Sequence, residues 1–143
     1  MGLQVRKATI GDFGDMMALF HDLYGGDIGP HFSDVLREYI GSDSHLVTVA
    51  ISDARLVGVL IGSYRLDIDY ECRAGFVDAI VVHKDCRSQG IGKRLVRNFA
   101  EWAKDRGCTV LQVLNARGKF FENIGFKERP ATLHQISIEE IGE

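Results

Sequence analysis

Ile80-Val81-Val82-His83-Lys84-Asp85-Cys86-Arg87-Ser88-Gln89-Gly90-Ile91-Gly92-Lys93-Arg94-Leu95 runs from an apolar, β-branched stretch through an Arg-x-x-Gly-x-Gly turn into the start of an amphipathic helix. A strand that feeds a helix in this way makes an anion site. The first amides of the helix lack intrahelical acceptors and sit at the positive end of its dipole, so a phosphate placed there satisfies donors and charge together. Gly90 and Gly92 carry no Cβ that would hold a bulky pyrophosphate away from the backbone.

Two nucleotide motifs are excluded by spacing. A dinucleotide-binding fingerprint needs a third glycine three residues after Gly92, where this chain has Leu95. A P-loop needs Gly-Lys-Ser/Thr with a glycine five residues before it, but Arg94 follows Lys93 and Arg87 holds the early position. A plain glycine-rich turn remains the competing reading until the flanking sequence is considered.

Working outward, Leu3-Gln4-Val5-Arg6-Lys7 alternates as a half-buried strand does. Thr9 and Asp12 form a capping-box-like start to a helix carrying Phe13, Met16, Met17, Leu19, Phe20 and Leu23. Gly25-Gly26-Asp27-Ile28-Gly29-Pro30 ends it as a loop, and the spacing predicts a short second helix over residues 33–40. Residues 45–52 and 55–65 read as strands, the run Val57 to Ile61 suiting burial on both faces. Residues 66–73 read as a hairpin loop and residues 74–82 as the strand that enters the glycine turn. Ile91, Leu95, Phe99, Trp102 and Ala103 then form a helical stripe, closed by Arg106-Gly107. Residues 108–114 follow as a strand, so this β-α-β unit implies parallel pairing. A short helix over residues 119–123, a Gly125-Phe126 turn into strand, and a final strand over residues 132–138 complete the expected order.

The 143 residues fit a single domain, and 45% hydrophobic with 26% charged residues and 2 prolines is the composition of an ordinary globular protein. No apolar run approaches the ~20 residues needed to span a bilayer, and no secretory leader is recognisable, so neither a membrane role nor export is expected and the location is expected to be cytoplasmic. The formal charge of −3 gives no support to a nucleic-acid partner. Cys72, Cys86 and Cys108 lack disulfide or zinc spacing, and His21, His31, His45, His83 and His134 form no metal set, so no metal is expected.

Residues 76–92, ending in Arg87-Ser88-Gln89-Gly90-Ile91-Gly92, resemble the acetyl-CoA-binding motif of the GNAT superfamily of N-acetyltransferases. Phe120-Phe121-Glu122-Asn123-Ile124-Gly125-Phe126 resembles the aromatic helix and Gly-Phe turn near that family's C-terminus. The resemblance covers nearly the whole chain. It implies one N-acetyltransferase domain over residues 1–143. Its implied fold is a mixed α/β (α+β) acyl-CoA N-acyltransferase fold, with a twisted central sheet of about seven strands flanked by about four helices.

The implied chemistry is transfer of acetyl from acetyl-CoA to a primary amine by direct attack in a ternary complex, with no metal and no covalent enzyme intermediate. Likeness to relatives places the pantetheine arm along the backbone of Ile80, Val81 and Val82. It places the pyrophosphate on the amides of Ser88, Gln89, Gly90, Ile91, Gly92 and Lys93, with Arg87 beside it. Arg94 and Arg97 read either as phosphate-attracting or as a solvated basic face. Asp78 is the candidate base, a hydrogen-bonded structural carboxylate being the alternative. Backbone N–H near Val82 is the candidate oxyanion donor. Asn115 resembles a CoA-contacting asparagine, with a helix cap as the equal alternative. Phe121 departs from the pattern, because relatives commonly carry there a tyrosine that protonates the leaving thiolate. Tyr24, Tyr64 and Tyr70 are substitutes by location alone.

The acceptor is read from loops around the cleft. Tyr24 and Asp27 after the first helix, with Asp22, and Asp67, Asp69, Tyr70 and Glu71 in the hairpin would present acidic walls to a cationic amine, unless they are simply solvated loops. A small-molecule amine is the expected acceptor. The alternatives are a protein or peptide N-acetyltransferase and a non-catalytic CoA-binding sensor module, and a homodimer is compatible with each.

Overall fold

Alternation along Leu3 to Lys7 yields β1 (Leu3–Lys7), whose register places Val5 opposite Ala50 in an antiparallel pair with β2 (His45–Ser52). The computed structural model describes residues 2–114, 116 and 118–141. After a 3-10 turn at Ile10–Asp12 come α1 (Phe13–Tyr24) and α2 (Phe32–Gly41), then β2, β3 (Arg55–Asp67), β4 (Cys72–Val82), α3 (Ile91–Asp105), β5 (Cys108–Val113) and α4 (Phe120–Asn123). The sheet order is β1-β2-β3-β4-β5. All neighbours are antiparallel except β4 and β5, which pair in parallel because α3 carries the chain back across the sheet.

Residues of β2 and β3 alternate between two cores. Val47, Val49, Val59 and Ile61 pack with Met16, Leu19 and Phe20 of α1 and Leu36 of α2. Leu46, Ala50, Val57 and Leu60 pack with Ile91, Leu95 and Phe99 of α3 on the other face. This is the two-sided burial that the apolar run at Val57 implies. Helix α3 sits close on the sheet because Gly62 lacks a Cβ, which would otherwise overlap the Phe99 ring.

The hairpin between β3 and β4 is tighter than residues 66–73 suggest. Both strands extend to the pair Asp67 and Cys72. Asp67 Oδ1 accepts from the backbone N–H of Asp69 and Tyr70, closing the tip as an Asx turn.

The sheet has five strands among the described residues, where about seven were expected. The Gly125-Phe126 turn is present, with Gly125 at φ 106, but no strand follows it and none forms over residues 132–138. Pro130 has no amide to donate to a ladder, and the apolar residues of the tail find no buried side: Leu133, Ile136 and Ile138 are all exposed. Apolar residues in short alternation suggest a strand, but burial against a neighbour is what makes one.

Candidate active site

Among the described residues β5 accompanies β4 only from Arg73 to Val77, and none of them pairs with β4 on that side from Asp78 to Val82. On its other side the ladder with β3 slips: Val77 pairs with Gly62 and Ala79 with Ile61, leaving Asp78 as an extra residue without a partner. Such a bulge bends a strand and re-aims a side chain. Here it lies where β4 and β5 part.

The bulge brings Asp78 to two hydroxyls. Tyr39 Oη on α2 and Ser63 Oγ on β3 both donate to Asp78 Oδ2, each at 3.1 Å. Partial burial raises the Asp78 pKa, while the Tyr39 and Ser63 hydrogen bonds and the charges of His45 and Arg65 pull it down; burial prevails. Tyr39 is pushed up to about 12, first by burial and then by the adjacent carboxylate. Its ring stands edge-on to His45, with centroids 4.4 Å apart.

Neither hydroxyl was among the residues singled out from sequence. Tyr39 lies on the inner stripe of α2, where its ring reads as core. The signal was its tip, because a buried tyrosine hydroxyl finds a partner. The three tyrosines named as candidates lie elsewhere: Tyr24 stacks on Phe20, Tyr64 packs against Trp102, and Tyr70 accepts from Arg129 Nε at 2.9 Å.

At the far end of β4, Arg87 Nε donates to the carbonyl of Val82 at 3.3 Å, holding the exposed arginine against the strand end. Ser88 and Gly90 take left-handed backbone, at φ 66 and 79. Gly90 is the N-cap of α3, and Arg94 N–H to Gly90 C=O at 3.1 Å begins the helical ladder. The amides of Ile91, Gly92 and Lys93 therefore precede that ladder, and the first turn carries no acidic side chain.

The two glycines have different reasons. A Cβ at Gly90 would meet nothing within 4 Å, so its requirement is the left-handed φ. A Cβ at Gly92 would lie 3.0 Å from the Phe120 ring, so Gly92 serves the packing of α4 on α3. Phe121 is buried, its ring edge-on to Phe120 and Phe126. Arg94 reaches the carbonyl of Leu3 at 3.1 Å, tying α3 to β1. Asn115 lies outside the described residues.

A cavity of about 400 Å³ opens beside Asp78, bordered by Ser63, Arg65, Phe76, Leu114 and residues 131–133. Tyr24, Asp27 and Tyr70 are not among its lining residues. Asp67 is committed to its turn and to Gln112 Nε2, at 3.0 Å, so it does not form an open acidic wall.

One face of the fold thus carries a bulged carboxylate and a stretch of β4 that has no second neighbour among the described residues, and the chain continues from that strand to a helix start free of acidic side chains. The acetyltransferase (GNAT) family matches residues 13–126, and the chain belongs to this family. Among curated relatives, the probable N-acetyltransferase camello of Xenopus laevis is 29% identical over 100 residues, 66% of this chain and 44% of its own length. Glucosamine 6-phosphate N-acetyltransferase 1 of Oryza sativa subsp. japonica is 32% identical over 95 residues, 63% of this chain and 57% of its own length. The chain thus spans about half the length of the curated relatives it matches. AAC(6')-Iy, solved in complex with the bisubstrate analog CoA-S-monomethyl-acetylneamine, superposes with a TM-score of 0.83 at 19% identity, over 96% of this chain and 99% of that one. That likeness establishes the shared fold.

Proposed function

We propose that the protein transfers the acetyl group of acetyl-CoA to a primary amine of a small molecule, the amine nitrogen attacking the thioester directly while both are bound. The observation that carries this reading is the edge of β4 from Asp78 to Val82, unpaired on the β5 side among the described residues, which a 3-10 turn at Lys84–Cys86 and the glycine turn connect to the open amides of α3. An extended pantetheine arm can hydrogen-bond to such an edge as an added strand would, here along Ile80, Val81 and Val82. The turn from Ser88 to Lys93, with Arg87, suits the pyrophosphate, since open amides and basic side chains meet there. Phe121 supports that end by backing Phe120 against Gly92, and Asn115 is assigned to CoA by likeness to relatives alone.

Asp78 is assigned the proton of the attacking ammonium. Its elevated pKa makes it a better acceptor than an ordinary carboxylate, while the two hydroxyls on Oδ2 fix its orientation. Backbone N–H near Val82 would meet the oxyanion as the thioester carbonyl becomes tetrahedral. A thiol has a pKa of about 8.5, so the CoA sulfur can leave as thiolate near neutral pH and the missing hydroxyl at Phe121 is tolerable. A small acceptor agrees with the names of two relatives, a glucosamine 6-phosphate N-acetyltransferase and an aminoglycoside N-acetyltransferase.

The test is incubation with acetyl-CoA and a mixed panel of small amines and peptides, following free thiol and acetylated product. Stoichiometric thiol and N-acetyl amine from a small molecule are expected. Tight CoA binding without turnover across the panel would favour a sensor module instead.

A further inference from the structure

Ser63 and Arg65 are two residues apart on β3, so they share a face of the sheet with about 7 Å between their positions. Ser63 touches Asp78, whereas Arg65 lies over Phe76, its guanidinium carbon 5.1 Å from the ring centroid. Arg65 Nη2 also donates to Gln112 Oε1 at 3.1 Å, and Gln112 is itself held by Asp67. Ring and amide together fix the plane of the guanidinium while engaging one of its five donors. Among the described residues no carboxylate forms an ion pair with Arg65 within 4.0 Å.

Both charges border the same cavity, and the walls between them include the apolar side chains of Phe76, Leu114 and Leu133. At about 400 Å³ the space suits a small molecule. A cavity bordered both by a carboxylate and by an oriented guanidinium that has no ion pair among the described residues favours a ligand that presents a cationic group to the one and an anionic group to the other. We infer that the acceptor is an amine that also carries an anionic group, a carboxylate or a phosphate, held by Arg65 while its ammonium faces Asp78. This rests on the proposed acetyltransferase reading and narrows it. It also reverses the acidic-wall expectation: a polyamine would set its second charge against Arg65, and like charges placed together discriminate against a ligand.

The test uses ω-amino carboxylates of four to six carbons, aminoalkyl phosphates of similar reach, the corresponding neutral amides, and diamines of the same length. Each is assayed with acetyl-CoA and the wild type, Arg65→Gln and Arg65→Lys. The anionic acceptors should exceed amides and diamines in kcat/KM by about tenfold or more, and the ratio of carboxylate to phosphate rates identifies which anion the site takes. Arg65→Gln should abolish that advantage chiefly through the acceptor KM, Arg65→Lys should restore part of it, and the KM for acetyl-CoA and the Tm should stay unchanged. Diamines or amides turned over as well as the anionic amines, or an anion preference that survives Arg65→Gln, would overturn the inference while leaving the acetyltransferase reading intact. Absence of turnover with every amine would overturn the acetyltransferase reading, and the inference with it.

Discussion

Tyr39 on α2 and Asp78 on β4, 39 residues apart in the chain, meet in a 3.1 Å hydrogen bond from the phenol to the carboxylate. The bond joins the helical layer to the bulge at which β4 loses its second neighbour. It favours the ionised form of Asp78 and so opposes the effect of burial. Tyr39→Phe removes one of the two donors on Oδ2. The Asp78 pKa should then rise further and, with ionised Asp78 as the proposed base, the acidic limb of the rate profile should move to higher pH. A pH profile of kcat/KM with saturating acetyl-CoA checks this, and a limb that stays in place or moves to lower pH contradicts it.

Gly90→Ala tests the turn that precedes α3. No atom would touch the new Cβ, so the whole effect arises from forcing an alanine to φ 79, at a cost of about 1–2 kcal/mol. CoA binding measured by calorimetry should weaken, and Gly90→Asn should weaken it less, because asparagine tolerates left-handed backbone. Equal affinities for all three proteins would separate the turn from CoA.

Asp12 makes a fork with Arg6, at 2.8 and 2.9 Å, and also accepts from the Thr9 backbone N–H. The Arg6 hydrogen bond is the largest cause holding its carboxyl down at about 2, against an ordinary 3.8. A depressed folded pKa means that stability is fully present above pH 3.8 and is lost as the pH falls toward 2. Asp12→Asn should therefore be less stable than the wild type at pH 7, by about 1–3 kcal/mol, with the gap closing below pH 4. Denaturant unfolding across that range measures it, and a gap independent of pH would contradict the linkage.

What the sequence discloses follows physical locality. The turn around Gly90 and the helix behind it are legible because strand, glycine and amphipathic stripe are consecutive in the chain, and the stripe at Ile91, Leu95 and Phe99 is the face that α3 buries. Asp78 is legible through resemblance. The bulge that aims it is not, since a slipped register depends on how β3 pairs with β4. Tyr39, Ser63 and Arg65 reach the same site from α2 and β3, and no local pattern announces three residues that converge only after folding. Gly92 looks like a phosphate glycine in sequence, and its contact with Phe120 becomes visible only when α4 is docked. The tail strand over residues 132–138 failed for the opposite reason: its local pattern is favourable, but its apolar side chains remain exposed.

Asp78→Asn addresses the central claim most directly, through the pH dependence of amine acetylation together with the affinity for CoA. Asparagine keeps the shape and still accepts from Tyr39 and Ser63, but it cannot take a proton. The rate should fall by about two orders of magnitude, the usual scale of a lost general base, the acidic limb should vanish, and CoA should bind as it does to the wild type. An unchanged rate with the acidic limb still in place would contradict the assignment of Asp78 as the base.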